Sequence, residues 1–338
     1  MDDFGGRRVV VTGGAGFIGS ELVRQLLLSG AAAITVIDNL ATGRRENLAG
    51  IGSDRVTLAI ADIRDAPRLA PLVNRADVIF HLACLGVRHS LHAPEENHEV
   101  NATGTLRLLE AARAARVERF VCVSSSEVYG TARSTPMTEE HPTLPSTVYG
   151  ASKLAGESYA RAFHRSYGFP SVVVRPFNTY GPRCHHEGDS GEVVPKFLLR
   201  CLAGLPMVVF GDGAQTRDFT YVEDTARGIL AASRCEALVG ETVNLGSGSE
   251  VSIAELARRV AAALGRPDAP IVHDDPRPGD VLRLLADTSK ARALLGFRPQ
   301  RSLEEGLGRL RDWYAQQGRS ARELLAEEVV RNWTRAEP

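Results

Sequence analysis

Residues 9–19 read Val-Val-Val-Thr-Gly-Gly-Ala-Gly-Phe-Ile-Gly, a β-branched run that passes through glycines into an apolar stretch with helical spacing. No other segment constrains the fold as strongly. A strand that enters a helix this way needs a backbone free to turn at Gly13, bare of side chain at Gly16 and able to press on the strand at Gly19. The helix start leaves N–H groups unpaired and points its positive dipole end over the turn. A pyrophosphate fits that arrangement, so the expectation is a dinucleotide-binding α/β unit. Asp38 ends the next β-branched run. A carboxylate there accepts hydrogen bonds from a ribose diol and repels a 2′-phosphate, which favours NAD⁺ over NADP⁺ even with Arg44 and Arg45 nearby.

The rest of the chain extends the same pattern. Apolar runs at 8–12, 34–37, 56–60, 78–81, 120–123, 172–175 and 242–245 predict strands covered on both faces. Helical spacing predicts helices over 16–29, 95–115 and 150–167. Their alternation implies a doubly wound, parallel Rossmann sheet. After about residue 176 proline and glycine become frequent, and helices are predicted over 193–203, 222–233, 252–264, 303–314 and roughly 321–333. The expected organisation is a Rossmann domain of residues 1–176 with 220–248, and a smaller C-terminal α+β lobe of 177–219 with 249–338. With 338 residues, 43% apolar and a formal net charge of −1, the chain has material for a large core. It has no global basic field for nucleic acid or an anionic membrane. Five scattered cysteines, none in a C-x-x-C pair, fit a reducing compartment, and no run is long enough to span a bilayer. A cytoplasmic protein is expected. His185 and His186 are adjacent and cannot easily converge on one ion, so no metal is expected; a mobile loop over the substrate is the reading there. Cys84 and His81 are read as packing and structural residues.

Tyr149 and Lys153 stand four apart at a helix start, on one face. An ammonium beside a phenol favours the phenolate, and a phenolate can take the proton of a substrate hydroxyl. Ser124-Ser125-Ser126-Glu127 follows a strand, where open α/β sheets face their ligand crevice. The order of these elements resembles the extended short-chain dehydrogenase/reductases, in particular the NAD-dependent nucleotide-sugar epimerase/dehydratase family. The resemblance rests on the glycine loop, His81-Leu82-Ala83, Asn101-Ala102-Thr103-Gly104, 124–130, Tyr149–Lys153, Arg175-Pro176-Phe177-Asn178, 215–224 and Asn244-Leu245-Gly246, and runs from about residue 7 to about residue 316.

That resemblance implies a UDP- or dTDP-linked hexose bound between the lobes and oxidised at C4 by NAD⁺. Around the cofactor it implies Phe17, Ile18, Asn39, Asp62, Ile63, Leu82, Ala83, Asn101, Ser124 and Pro176, besides the glycines, Asp38, Tyr149 and Lys153. Around the nucleotide diphosphate it implies Asn178, Val193, Arg217 and Arg277; salt bridges from Arg217 to Asp218 or Asp224, and a solvated loop charge at Arg277, are the plain alternatives. Homodimerisation through 95–115 and 150–167 is also implied. The fate of the 4-keto sugar turns on few groups. A 4-epimerase, the leading expectation, needs Tyr149, Lys153, a hydroxyl such as Ser125 or Ser126, and room. A 4,6-dehydratase needs a base at C5, a role open to Glu127 unless it merely caps a turn. A decarboxylase would need a 6-carboxylate, which Arg88 could meet. Outside enzymes altogether stands a silent dinucleotide-binding regulator, against which the intact Ser125–Tyr149–Lys153 set argues.

Overall fold

The computed structural model describes residues 4–51 and 54–333. Strands β1 (Arg8–Thr12), β2 (Ala33–Asp38), β3 (Val56–Ile60), β4 (Val78–His81), β5 (Arg119–Val123) and β6 (Ser171–Pro176) all lie in one sheet. Three strands follow outside it: β7 (Asn178–Tyr180), β8 (Met207–Phe210) and β9 (Thr216–Tyr221). Then β10 (Thr242–Leu245) returns to it, while β11 (Glu250–Ser252) and β12 (Ile271–Asp274) do not. The seven-stranded order is β10-β6-β5-β4-β1-β2-β3, and every pairing in it is parallel.

Parallel strands buried on both faces should send alternate side chains into two cores, and they do. Val9, Val11, Val36, Phe80, Val121 and Val174 pack on one side with Leu22 and Ile229 from the helices Phe17–Leu28 and Val222–Arg234. Val10, Ile37, Ile79, Phe120 and Val173 pack on the other with Leu108, Leu109, Ala160 and Phe163. A third cluster unites the helices Val193–Ala203, Ile253–Ala263 and Leu303–Ala315 with β8 and β9. Ala291 and Phe297 join the first core rather than the third, so part of the segment after 249 belongs to the sheet side.

Two expected helices differ. The 95–115 stretch is the helix Pro94–His98, a wider π-helical turn Glu99–Gly104, and the helix Thr105–Ala114. Asn101 lies in that wider turn, and Gly104 passes so close to Ile63 that a Cβ would meet its Cδ1 at 2.7 Å. The last expected helix is only Ala321–Leu325, opened by a Ser320/Glu323 capping box. Beyond it the chain runs as a strap whose backbone is engaged elsewhere: Gly188 N donates to Glu327 O at 2.9 Å and Lys196 Nζ to Val329 O at 2.7 Å.

Candidate active site

A cleft of about 470 Å³ lies along the C-terminal ends of the central strands, between them and the third core. At one end is the glycine loop. Gly13 has φ +70°, and a Cβ there would meet Ala83 N at 2.7 Å; a Cβ on Gly19 would lie 2.1 Å from Gly13 O. No side chain caps the helix Phe17–Leu28, so its first N–H groups face the cleft unsatisfied. Asp38 Oδ2 accepts from Ala15 N at 3.0 Å and Oδ1 from Leu40 N at 2.9 Å, which fixes its carboxylate between the glycine loop and the next turn. Burial raises its pKa while those two N–H groups act the other way. Arg44 is paired with Glu187 and Glu327 instead of standing free for a 2′-phosphate. Asp62 is held by Arg64 and Asn39, with its pKa lowered to about 2, chiefly by Arg64. Phe17, Ile18, Asn39, Asp62, Ile63, Leu82, Ala83, Ser124 and Pro176 all line the cleft. Asn101 does not line it: its amide donates to Leu85 O and Asn97 Oδ1, and its oxygen accepts from Leu85 N, so it holds the loop beneath Leu85. The bare glycines, the uncapped helix and the ribose-facing carboxylate fit NAD⁺.

At the centre, Thr147 caps the helix Val148–Tyr167, which carries Tyr149 and Lys153. Ser125 Oγ accepts from Glu127 N at 3.2 Å and so caps the short turn Ser126–Tyr129. That turn lies against the start of the Tyr149 helix, where a Cβ on Gly150 would meet Glu127 O at 2.6 Å. Glu127 is thereby fixed beside Tyr149, and its own carboxylate has no hydrogen bond or ion pair among the described residues. Ser125 stands beside the Tyr149 hydroxyl and acts on it against the effect of burial.

The expected Lys153 effect on the phenol is not what the cleft holds. Lys153 Nζ donates to Val123 O at 2.6 Å, at the end of β5. Burial, then Cys84, Glu127 and Glu192, raise the Tyr149 pKa well above its usual value, and Ser125 opposes them. Desolvation therefore outweighs the ammonium until positive charge enters. His81 bonds Thr12 and Thr105 through both ring nitrogens, at 2.7 and 2.8 Å. Burial, with Lys153 nearby, lowers its pKa to about 3, so it stays neutral and structural.

The far end is cationic. Arg217 Nη2 bonds Asp280 Oδ1 at 2.6 Å, and Arg277 bonds the same oxygen. Neither plain alternative for these arginines holds: Asp218 is spent on Ser247, Gly248 N and Ala286 N, Asp224 on Arg227 and the 300–301 backbone, and Arg277 is largely enclosed. Arg88 faces the cleft without a hydrogen bond or ion pair among the described residues; burial and then Arg277 lower its pKa to about 10. Val193 opens an uncapped helix into the cleft. Asn178 Oδ1 and Ser124 Oγ are buried there without a partner, as atoms awaiting a ligand would be. Glu192 is a site residue that the pattern did not single out. Its carboxylate has no partner among the described residues, and burial raises its pKa to about 7. The His185–Glu187 loop is pinned down: Glu192 N donates to His185 O, and His186 packs edge-on against Tyr314. Among the described residues no group of three or more His, Cys, Asp or Glu is placed to hold a metal. No helix among them is long and apolar enough to cross a membrane.

A Rossmann sheet with a glycine loop at one end of its cleft and a Ser–Tyr–Lys set at the centre defines an extended short-chain dehydrogenase/reductase. Residues 10–310 match the family model described as GDP-mannose 4,6 dehydratase, and the chain belongs to that family of NAD-dependent nucleotide-sugar epimerases and dehydratases. It is 40% identical over 311 residues to a UDP-glucose 4-epimerase of Mycolicibacterium smegmatis, covering 91% of this chain and 98% of that one. It is similar to DesIV, a dTDP-glucose 4,6-dehydratase of Streptomyces venezuelae solved with NAD bound, at TM-score 0.87 and 37% identity over 92% and 97% of the two chains. It is also similar to the epimerase Mth375 of Methanothermobacter thermautotrophicus, at TM-score 0.88 and 35% identity over 95% and 96%. The chain is therefore an enzyme, and its cofactor is NAD.

Proposed function

We propose that this enzyme is a nucleotide-sugar 4,6-dehydratase acting on a UDP- or dTDP-linked hexose. The observation that carries the reading is Glu127, whose backbone is held against the start of the Tyr149 helix and whose carboxylate lines the cleft without a hydrogen bond or ion pair among the described residues. An epimerase has no use for a free carboxylate there, and the capping role that would make it incidental is filled by Ser125. NAD⁺, held by the glycine loop, Asp38, Tyr149 and Lys153, would supply the acceptor for the C4 hydride and its return to C6, while Glu127 gives a proton back to C5, and would bring positive charge close to the phenol. Tyr149, with Ser125 beside it, takes the C4 hydroxyl proton. Glu127 takes the C5 proton, acidified by the neighbouring ketone. Glu192, still protonated near neutrality, gives its proton to the departing C6 hydroxyl, which leaves as water. Ser126 lines the cleft beside them. Arg217, Arg277, Asn178 and the Val193 helix start hold the diphosphate.

The second reading is a UDP-sugar 4-epimerase, favoured by the 40% identity to a protein of that name. Glu127 weighs against a uronic acid substrate, because its carboxylate would meet the sugar carboxylate with like charge. Incubation with UDP-glucose, UDP-N-acetylglucosamine, UDP-glucuronate and dTDP-glucose in deuterated water, read by mass spectrometry, separates the readings. A dehydratase product has lost water and gained solvent deuterium at C5. An unlabelled isomer of unchanged mass overturns dehydration. A cytoplasmic homodimer, paired through 95–115 and 150–167, completes the proposal; the free cysteines support the first part, and sedimentation as a monomer would remove the second.

A further inference from the structure

The ligands that the cleft accommodates fall in a fixed order along it. The glycine loop and Asp38 occupy one end, Tyr149 and Glu127 the middle, and the Arg217–Asp280–Arg277 group comes next. A nucleotide sugar with its hexose at Tyr149 and its diphosphate at the arginines must therefore send its base beyond them. Gln215 ties the Arg217–Asp280–Arg277 group to its neighbour, its amide donating to Phe210 O at 2.9 Å and reaching Asp280 Oδ2 at 3.5 Å. Phe210 lines the cleft with the apolar and aromatic Val208, Ile253 and Trp333, among more polar side chains such as Arg200 and Asn332.

Trp333 comes from outside the region that matches the family, which ends at residue 310. The strap described above delivers it. Arg331 is paired with Asp274 and Asp275, Arg200 with Glu328, and the Asn332 amide donates to Asp189 O at 3.2 Å and Gly191 O at 3.0 Å. These anchors hold the strap against the segment that leads into Glu192 and Val193. At its end the Trp333 ring stands edge-to-face to Phe210, with centroids 4.6 Å apart. A large flat side chain held beside a second aromatic ring at the end of a nucleotide cleft offers a stacking face.

We infer that Trp333 is a nucleobase-stacking residue: the C-terminal strap completes the substrate site by seating Trp333 against Phe210, where its ring meets the base of the nucleoside diphosphate. The inference rests on the nucleotide-sugar reading of the cleft and holds equally for a dehydratase and an epimerase. Base–aromatic stacking is lost on truncation to alanine at a cost of about tenfold in binding. It leaves the chemistry at C4 alone, because the base does not change between ground and transition states.

The chain has two tryptophans, Trp313 and Trp333, which makes the test direct. In a Trp313→Phe protein the remaining indole emission reports on Trp333. Titration with UDP and with dTDP should quench it saturably, while inorganic pyrophosphate, which has no base, should not. Trp333→Ala should raise KM for the nucleotide sugar about tenfold with kcat within about twofold, and Trp333→Phe should restore most of the loss. Equilibrium dialysis run in parallel separates the two levels of failure. A nucleoside diphosphate that binds by dialysis yet leaves Trp333 emission unchanged overturns the stacking role alone. Failure of both nucleoside diphosphates to bind at all overturns the nucleotide-sugar reading with it.

Discussion

The two ends of the cleft are built on opposite plans. At the cofactor end, the charged side chains have protein partners: Asp38 holds two backbone N–H groups, Asp62 holds Arg64 and Asn39, and Arg44 is tied to Glu187. From the centre to the substrate end Glu127, Arg88 and Glu192 face the cleft unpaired among the described residues, and Asn178 Oδ1 is orphaned. A preformed, satisfied site costs little to fill and suits a cofactor that stays. Unpaired enclosed charges are expensive to leave bare and cheap to satisfy, so they place selectivity and chemistry on the molecule that comes and goes.

Breaking the centre, where the two plans meet, should have the largest effect. Tyr149→Phe should retain NAD, read by absorbance of the purified protein, yet lower turnover by about 10²–10⁴-fold, the span for loss of a positioned base. Near-normal turnover would remove Tyr149 from the chemistry. Glu127→Gln comes next. It should lower elimination by about 10²-fold and abolish deuterium uptake at C5, while leaving oxidation at C4, seen as transient NADH absorbance, largely in place. An unchanged product rate would return Glu127 to an incidental role and favour the epimerase.

The same contrast explains what could be read from the chain alone. The cofactor end is made by local sequence. Glycine spacing, a strand before it and a helix after it are contiguous, so Gly13, Gly16, Gly19 and Asp38 stand where the pattern puts them. Tyr149 and Lys153 share one helix and were equally legible. Their electrostatics were not: spacing shows that Lys153 is near, but not that it donates to Val123 O or that burial controls the phenol. Asn101 sits in a familiar motif, yet the wider helical turn aims its amide at the 85–86 loop. The substrate end collects residues from separate segments, so Asp280 as the shared partner of Arg217 and Arg277 could be found only once the chain was folded. Helical spacing over 321–333 gave no sign that the strap's hydrogen bonds go to 188 and 196.

Two smaller effects probe the substrate end itself. Arg217→Ala removes a donor to the diphosphate and leaves Asp280 with Arg277 alone. KM should rise about 30-fold, the scale of one charge-assisted contact of about 2 kcal/mol, with kcat changed far less. A kcat loss without a KM change would move Arg217 away from ground-state binding.

The smallest effect is a pH dependence centred on Glu192. Burial raises its pKa from 4.5 to about 7, with His185 and Arg88 pulling the other way. As the donor to the C6 hydroxyl it must be protonated, so turnover should fall by about tenfold as pH climbs from about 6 to about 8. Glu192→Gln should erase that alkaline limb from whatever activity remains. The same shift predicts a stability signature that needs no substrate. Between pH 4.5 and about 7 the folded protein holds this proton and the unfolded chain has released it. Stability should therefore decline as pH rises through that window, and Glu192→Gln should flatten the decline in Tm. A limb that survives the substitution, together with an unaltered Tm profile, would assign both to another group and leave Glu127 to manage the C6 proton as well as the C5 one.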